Sequence, residues 1–203
     1  MSTKMATGIA KADGGKQAAT QATKQAKERL GGAPVHLALV YASSAYDYNE
    51  VVQTVRAATD KAPLIGCSTA GEFTDAGVET GSVVVALLSS DSIRFHTAAA
   101  TGVKEDVEAA VRVLAEKIPR QVEGHPHLGA ILLADGLAGI GEEVTLTASN
   151  TFGPEVHIFG GTAADDFKLQ QTHVFHDDQV LENGVALCLM ASRAPFFTAV
   201  SHG

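Results

Sequence analysis

Cysteine is scarce in this chain of 203 residues, which has only Cys67 and Cys188, far apart in sequence. That excludes a disulfide framework and points to a reducing compartment. Basic residues are outnumbered: 15 Lys and Arg stand against 23 Asp and Glu, a formal net charge of −8. Such a chain repels phosphate at long range, which argues against nucleic acid and anionic membrane surfaces as partners. Long apolar runs are missing as well. The longest, near Leu37–Ala42, Val83–Leu88 and Val185–Ala191, are far shorter than the ~20 residues of a membrane-spanning helix. They read as buried strands. The opening residues Met1–Thr7 carry no apolar stretch of the signal-peptide kind. A cytoplasmic protein without membrane insertion is expected.

The marks of several chemistries are absent too. There is no His-Glu-x-x-His and no paired Cys-x-x-Cys, and the eight histidines lack ligand spacing. His125 and His127 flank Pro126 before a strand, and His173 and His176 fall in a presumed hairpin. No metal is expected. There is no Gly-Lys-Ser/Thr loop and no Gly-x-Gly-x-x-Gly after a strand, so neither a nucleotide nor any other cofactor is expected.

What is present is a globular composition, 45% apolar and 19% charged, in which strands and helices alternate. Strands are expected near Met5–Ala10, Val35–Ala42, Leu64–Cys67 and Ser82–Leu88. Helices are expected over Gly15–Leu30, stopped by Gly31-Gly32, and after Asp47, where Glu50 completes a capping box. The order then restarts with a strand at Ser92–Ala100 and an amphipathic helix at Lys104–Ile118. A strand at Leu128–Ala134, a short helix at Glu142–Asn150, and strands at Val156–Phe159, Thr172–Phe175 and Val185–Met190 follow.

The two halves correspond in residues. His36-Leu-Ala-Leu-Val40 answers His127-Leu-Gly-Ala-Ile131. Ile65–Phe73 aligns without a gap to Phe159–Phe167, and Gly81–Ser90 resembles Asn183–Ser192. The fold class expected is therefore α/β: two tandem copies of a strand-helix-strand-helix-strand-strand unit, about 4–90 and 92–192. The copies form mixed sheets flanked by helices and related by an approximate two-fold axis. Asp177-Asp178 between two strand-like runs predicts an extra hairpin in the second copy. Pro195–Gly203 reads like the strand that opens the second unit, and so as the start of a truncated C-terminal region.

Candidate site residues collect at strand ends, where α/β folds place ligands. Cys67, Ser68, Thr69, Gly71 and Glu72 follow one short strand, and Gly160, Gly161, Thr162, Asp165 and Asp166 follow its counterpart. Ser43 and Asp135 end two others. Hydroxyls and free amides there bind polar groups, and the acids can hold a cation; equally, the acids can cap turns.

Gly66-Cys-Ser-Thr-Ala-Gly-Glu72 resembles the signature of the FIST family of signal-transduction proteins. Leu39-Val-Tyr-Ala-Ser-Ser44, Leu133-Ala-Asp-Gly136, Gly160-Gly-Thr-Ala163, Val174-Phe-His176 and Ala199–Gly203 follow in the family's order. The resemblance covers nearly the whole chain. It implies a sensory domain of an intracellular signal-transduction protein, binding a small molecule, with amino acids suggested; the leading reading is a non-enzymatic binding domain. It implies as partners an output protein or a C-terminal FIST domain. On this reading loop amides and hydroxyls meet the ligand's carboxylate, and Glu72, Asp165 or Asp166 meets its ammonium group. Two other readings stand beside it. One is a hydrolase using Cys67 or Ser68 with Asp135 and a histidine, and the other is an interaction scaffold with no pocket.

Overall fold

The structure, a computed structural model, describes residues 2–75 and 77–199. The first half runs β1 (Thr3–Ala10), α1 (Gly15–Leu30), β2 (Leu37–Ser43), α2 (Tyr48–Ala58), β3 (Leu64–Thr69), β4 (Glu72–Thr74), β5 (Gly77–Glu79) and β6 (Val83–Ser90). The second runs β7 (Ile93–Thr101), α3 (Val107–Lys117), β8 (His127–Ala134), α4 (Gly141–Phe152), β9 (Val156–Thr162), β10 (His173–His176), β11 (Gln179–Glu182) and β12 (Gly184–Ser192).

Local chemistry sets the helix ends. Gly31 closes α1 in the left-handed conformation at φ 69°, which costs glycine nothing. Asp47 heads α2 by accepting from the Asn49 amide, and Asp106 heads α3 by accepting from that of Ala109. The Asp106 cap starts α3 at Val107, three residues later than the periodicity alone suggests. No helix among the described residues is long and apolar enough to cross a membrane.

The strands form two large mixed sheets. One has the order β1-β6-β2-β3-β10-β11 and the other β7-β12-β8-β9. In each, a helical crossover joins a parallel pair, β2–β3 or β8–β9, and the last strand inserts antiparallel beside the first. The registers agree as well. Val83 stands opposite Ala10 and Ala42, and Val185 opposite Ala100 and Ala134. Val40 stands opposite Gly66, and Leu132 opposite Gly160. This register corrects the alignment of β2 with β8 by one residue: Val40 answers Leu132, not Ile131. A one-residue slip would turn every side chain to the wrong face, so ladder position outranks residue identity.

The sheets stack face to face, with helices on the outer faces. One apolar core lies between α1, α2 and the first sheet, and a second between α3, α4 and the other sheet. A third lies between the sheets, built from Leu39, Ile65, Cys67, Ala86, Ile131, Leu133, Ala186 and Cys188 among others. Strands buried on both faces have no polar face to show, which explains the continuous apolar runs of β6 and β12. Helix α1 lays Ala18, Ala22 and Ala26, all fully buried, on the first sheet. It comes so close that a Cβ on Gly8 of β1 would lie 2.0 Å from the Ala22 carbonyl oxygen.

The expected hairpin is present as β10–β11, turning at Asp177-Asp178. It does not extend the sheet of its own half. It crosses to the first sheet and pairs antiparallel with β3, Phe175 opposite Gly66. Gly66 makes room for it: the Phe175 ring lies 3.0 Å from where a Cβ would stand. Arg56 of α2 holds the turn through Asp177 and Asp178 at 3.4 and 3.5 Å. Burying the Phe175 side chain contributes roughly 1.5–3 kcal/mol, and it is fully buried here. The first half also has a small hairpin, β4–β5, that the pattern does not announce; its strands are three residues each and mostly exposed. Residues 195–199 form no strand, and the rest of the strand expected over 195–203 lies outside the described residues.

Candidate functional site

The parallel pair β2–β3 ends side by side at Ser43 and Thr69. Over these ends runs the loop between β9 and β10. The Ala164 amide donates to the Ser68 carbonyl at 2.9 Å, and the Asp166 amide to that of Thr69 at 3.0 Å. Asp166 and Phe167 both adopt left-handed backbone, φ 54° and 61°, uncommon for residues with a Cβ. Asp165 fastens the loop from within, accepting from the amides of Leu169, Gln170 and Gln171 at 3.0, 2.6 and 3.1 Å. These amides, that of Gln170 foremost, hold its carboxyl below the usual range.

Asp166 points its carboxylate at the end of β2. One oxygen accepts from Ser43 Oγ at 2.8 Å, the Ser44 amide at 2.7 Å and Ser44 Oγ at 2.6 Å. Burial pushes this carboxyl up, but the hydroxyls of Ser44 and Ser43 and the Ser44 amide prevail and hold it below the usual range. Tyr48, the first residue of α2, adjoins this place. Its ring centroid lies 5.0 Å from that of His173 and 5.2 Å from that of Phe175. Burial, with the nearby charge of Asp166 and Asp165, pushes its phenol up to about 12, although Ser68 beside it works the other way. The Tyr48 hydroxyl and the His173 Nδ1 are buried without a well-formed hydrogen bond among the described residues. Buried polar atoms are normally paired. An ionised carboxylate can accept from an ammonium group, and a tyrosine hydroxyl close to it can donate to a polar oxygen.

The structure thus brings together Ser43, Ser68, Thr69, Asp165 and Asp166 of the expected residues and places Cys67, Gly71, Glu72, Asp135, Gly160, Gly161 and Thr162 elsewhere. Cys67 is buried between the sheets, and burial pushes its thiol up to about 12. Ser68 is fully buried and accepts from the His173 amide at 3.0 Å. Glu72 is buried and accepts from the Ser82 amide and hydroxyl at 3.0 and 2.8 Å, and from the Thr69 hydroxyl. Gly71, at φ 136°, leads into β4. Asp135, also buried, accepts from the amides of Leu137, Ala138 and Asn183 and from the Thr172 hydroxyl; no histidine is among these partners. Gly160, Gly161 and Thr162 lie on β9 in a separate open groove against α4.

Three residues of this polar bed are not binding candidates on the sequence reading: Ser44, Tyr48 and His173. For Ser44 and Tyr48 there was a signal, since both flank the Asp47 cap directly after a parallel strand. For His173 there was none, because only the hairpin's crossing to the first sheet brings it there.

The fold and this polar bed define a layered α/β module with its candidate site at the ends of parallel strands. The model of the FIST N domain matches residues 36–203, and the chain belongs to that family of sensory domains of signal transduction. No curated protein matches the chain. Among solved structures, a cyanuric acid hydrolase from A. caulinodans is similar at a TM-score of 0.48 and 11% identity, over 95% of this chain and 71% of that one. A likeness of that degree carries no argument about chemistry.

Proposed function

We propose that the chain is the small-ligand sensory module of an intracellular signalling protein, and that its ligand is an amino acid held at the Asp166 bed. The observation that carries this is the ionised, hydrogen-bonded Asp166 close to the buried Tyr48 hydroxyl, with the His173 ring packed against that of Tyr48. Asp166 takes the ammonium group, while the Tyr48 hydroxyl and a ring N–H of His173 donate to the carboxylate.

The bed also suits signal output. Asp166 belongs to the second half of the chain and Ser43 and Ser44 to the first, so a ligand that engages Asp166 acts on a link between the two. An output protein or a C-terminal FIST domain then reads the change. Burial of the Cys67 thiol and the engagement of Ser68 and Asp135 favour binding over nucleophilic catalysis.

Calorimetry with a panel of amino acids tests this. One or a few should bind, and Asp166→Asn should weaken binding about tenfold or more, the loss of one charge-assisted hydrogen bond. If none binds, or Asp166→Asn binds as tightly as the parent, the reading fails.

A further inference from the structure

The two sheets present the same edge in different states. At the first, β3 is covered by β10; at the second, β9 has no neighbour on its outer side among the described residues. The correspondence is positional. Gly66 and Gly160 hold the same ladder place, and a Cβ on them would lie 2.0 and 1.8 Å from the carbonyl oxygens of Val40 and Leu132. At both places a side chain would run into the backbone of the neighbouring strand, so none stands between the sheet edge and the helix. At Gly66, Phe175 fills that space; at Gly160 it is an open groove of about 520 Å³, lined by Leu132, Val144, Thr145 and Ile158.

The opposite face of the edge agrees. Ile65 of β3 is fully buried, and Val174 of the hairpin joins it in the core between the sheets. Its counterpart on β9, Phe159, is 39% exposed. An apolar edge strand with open ladder groups and uncovered side chains on both faces is a template for strand addition.

We infer that β9 is a docking edge for an antiparallel strand of a partner polypeptide, carrying an aromatic residue opposite Gly160 and an aliphatic residue opposite Gly161, as Phe175 and Val174 stand opposite Gly66 and Cys67. The aromatic residue is the larger kind. Tyr48, the first residue of α2, shares the first space with Phe175, whereas the first residue of α4 is Gly141. The groove therefore leaves room for a Tyr or Trp ring, whereas Tyr48 bounds the space around Phe175 in the first sheet. This edge is separate from the Asp166 bed and does not depend on an amino acid binding there.

The hairpin supplies its own probe, a labelled peptide copying residues 171–184, added to the whole chain. Fluorescence anisotropy should show saturable binding. Replacing the peptide's Phe175 by Ala should weaken it about tenfold or more, the loss of a buried aromatic anchor, and replacing it by Trp should tighten it. In the protein, Thr145→Arg fills the groove from the exposed face of α4 and should weaken binding by a similar factor, while the thermal unfolding midpoint stays in place. Amide exchange should slow over residues 156–162 when peptide is added. Lack of binding, indifference to the aromatic position and to Thr145→Arg, or protection over 64–69 instead of 156–162 would each overturn the inference. So would a dimer that pairs β9 with β9 of a second copy.

Discussion

Ser43 Oγ donates to Asp166 Oδ2 across 2.8 Å, joining residues 123 apart in the chain. The link ties the end of a first-half strand to a second-half loop. It stands on a carboxylate that must be ionised, so its strength depends on pH.

Asp165 and Asp166 both have folded carboxyl values below those of the unfolded chain. Their contribution to stability is therefore fully present above the unfolded value of about 3.9 and disappears as pH falls through the lower folded values. Amide exchange across 163–172 should accelerate below pH ~4, before global unfolding. In Asp166→Asn the Ser43 and Ser44 part of that dependence should be gone. An unchanged acid profile in this variant would remove the ionised carboxylate from the account.

Glu72 separates stability from binding. It is buried, and its partners are Ser82 and Thr69. Glu72→Gln should cost about 1–3 kcal/mol of stability, the usual range for leaving buried partners poorly satisfied, read by denaturant titration. Amino-acid affinity should stay within about twofold, a change of less than ~0.5 kcal/mol. Lost affinity at unchanged stability would place Glu72 in the site instead.

Gly8 and Gly14 make a matched pair. A Cβ at Gly8 would lie 2.0 Å from the Ala22 carbonyl oxygen, whereas one at Gly14 meets nothing within 4 Å. Gly8→Ala should destabilise by about 3 kcal/mol, since backbone cannot give way like a side-chain tip, and Gly14→Ala by less than ~0.5 kcal/mol. Thermal melts decide between them; equal midpoints would mean that α1 does not approach β1 so closely.

Cys67 and Cys188 are both buried with thiols pushed up to about 12. Neither should be alkylated by iodoacetamide at pH ~8 in the native protein, since the thiolate is the reacting form. Both should react fully in denaturant, as counted by intact mass. Rapid native labelling of Cys67 would revive the hydrolase reading.

Most of the secondary structure was legible in the sequence because it follows from local chemistry. Gly15–Leu30 is helical from its small-residue stripe to its glycine stop, as the pattern predicts. The central strands β6 and β12 declare themselves as apolar runs, since both faces are buried. The correspondence of Gly81–Ser90 with Asn183–Ser192 also holds at the level of ladder register. Chain order and residue type, together with the family signature, thus determine an α/β chain with a recurring strand order.

Tertiary structure decided the rest, for reasons of distance. Which residue of β2 answers which of β8 depends on hydrogen-bond register, and similar apolar strings align equally well one residue apart. Whether a strand-end acid binds a ligand or caps a turn depends on donors that folding brings to it. Ser82 reaches Glu72 from 10 positions away, Thr172 reaches Asp135 from 37, and Ser43 reaches Asp166 from 123. The hairpin is visible locally through Asp177-Asp178, but its target is not. It crosses to β3, where Phe175 packs against Tyr48 opposite Gly66, a contact that exists only once the first sheet and α2 are in place.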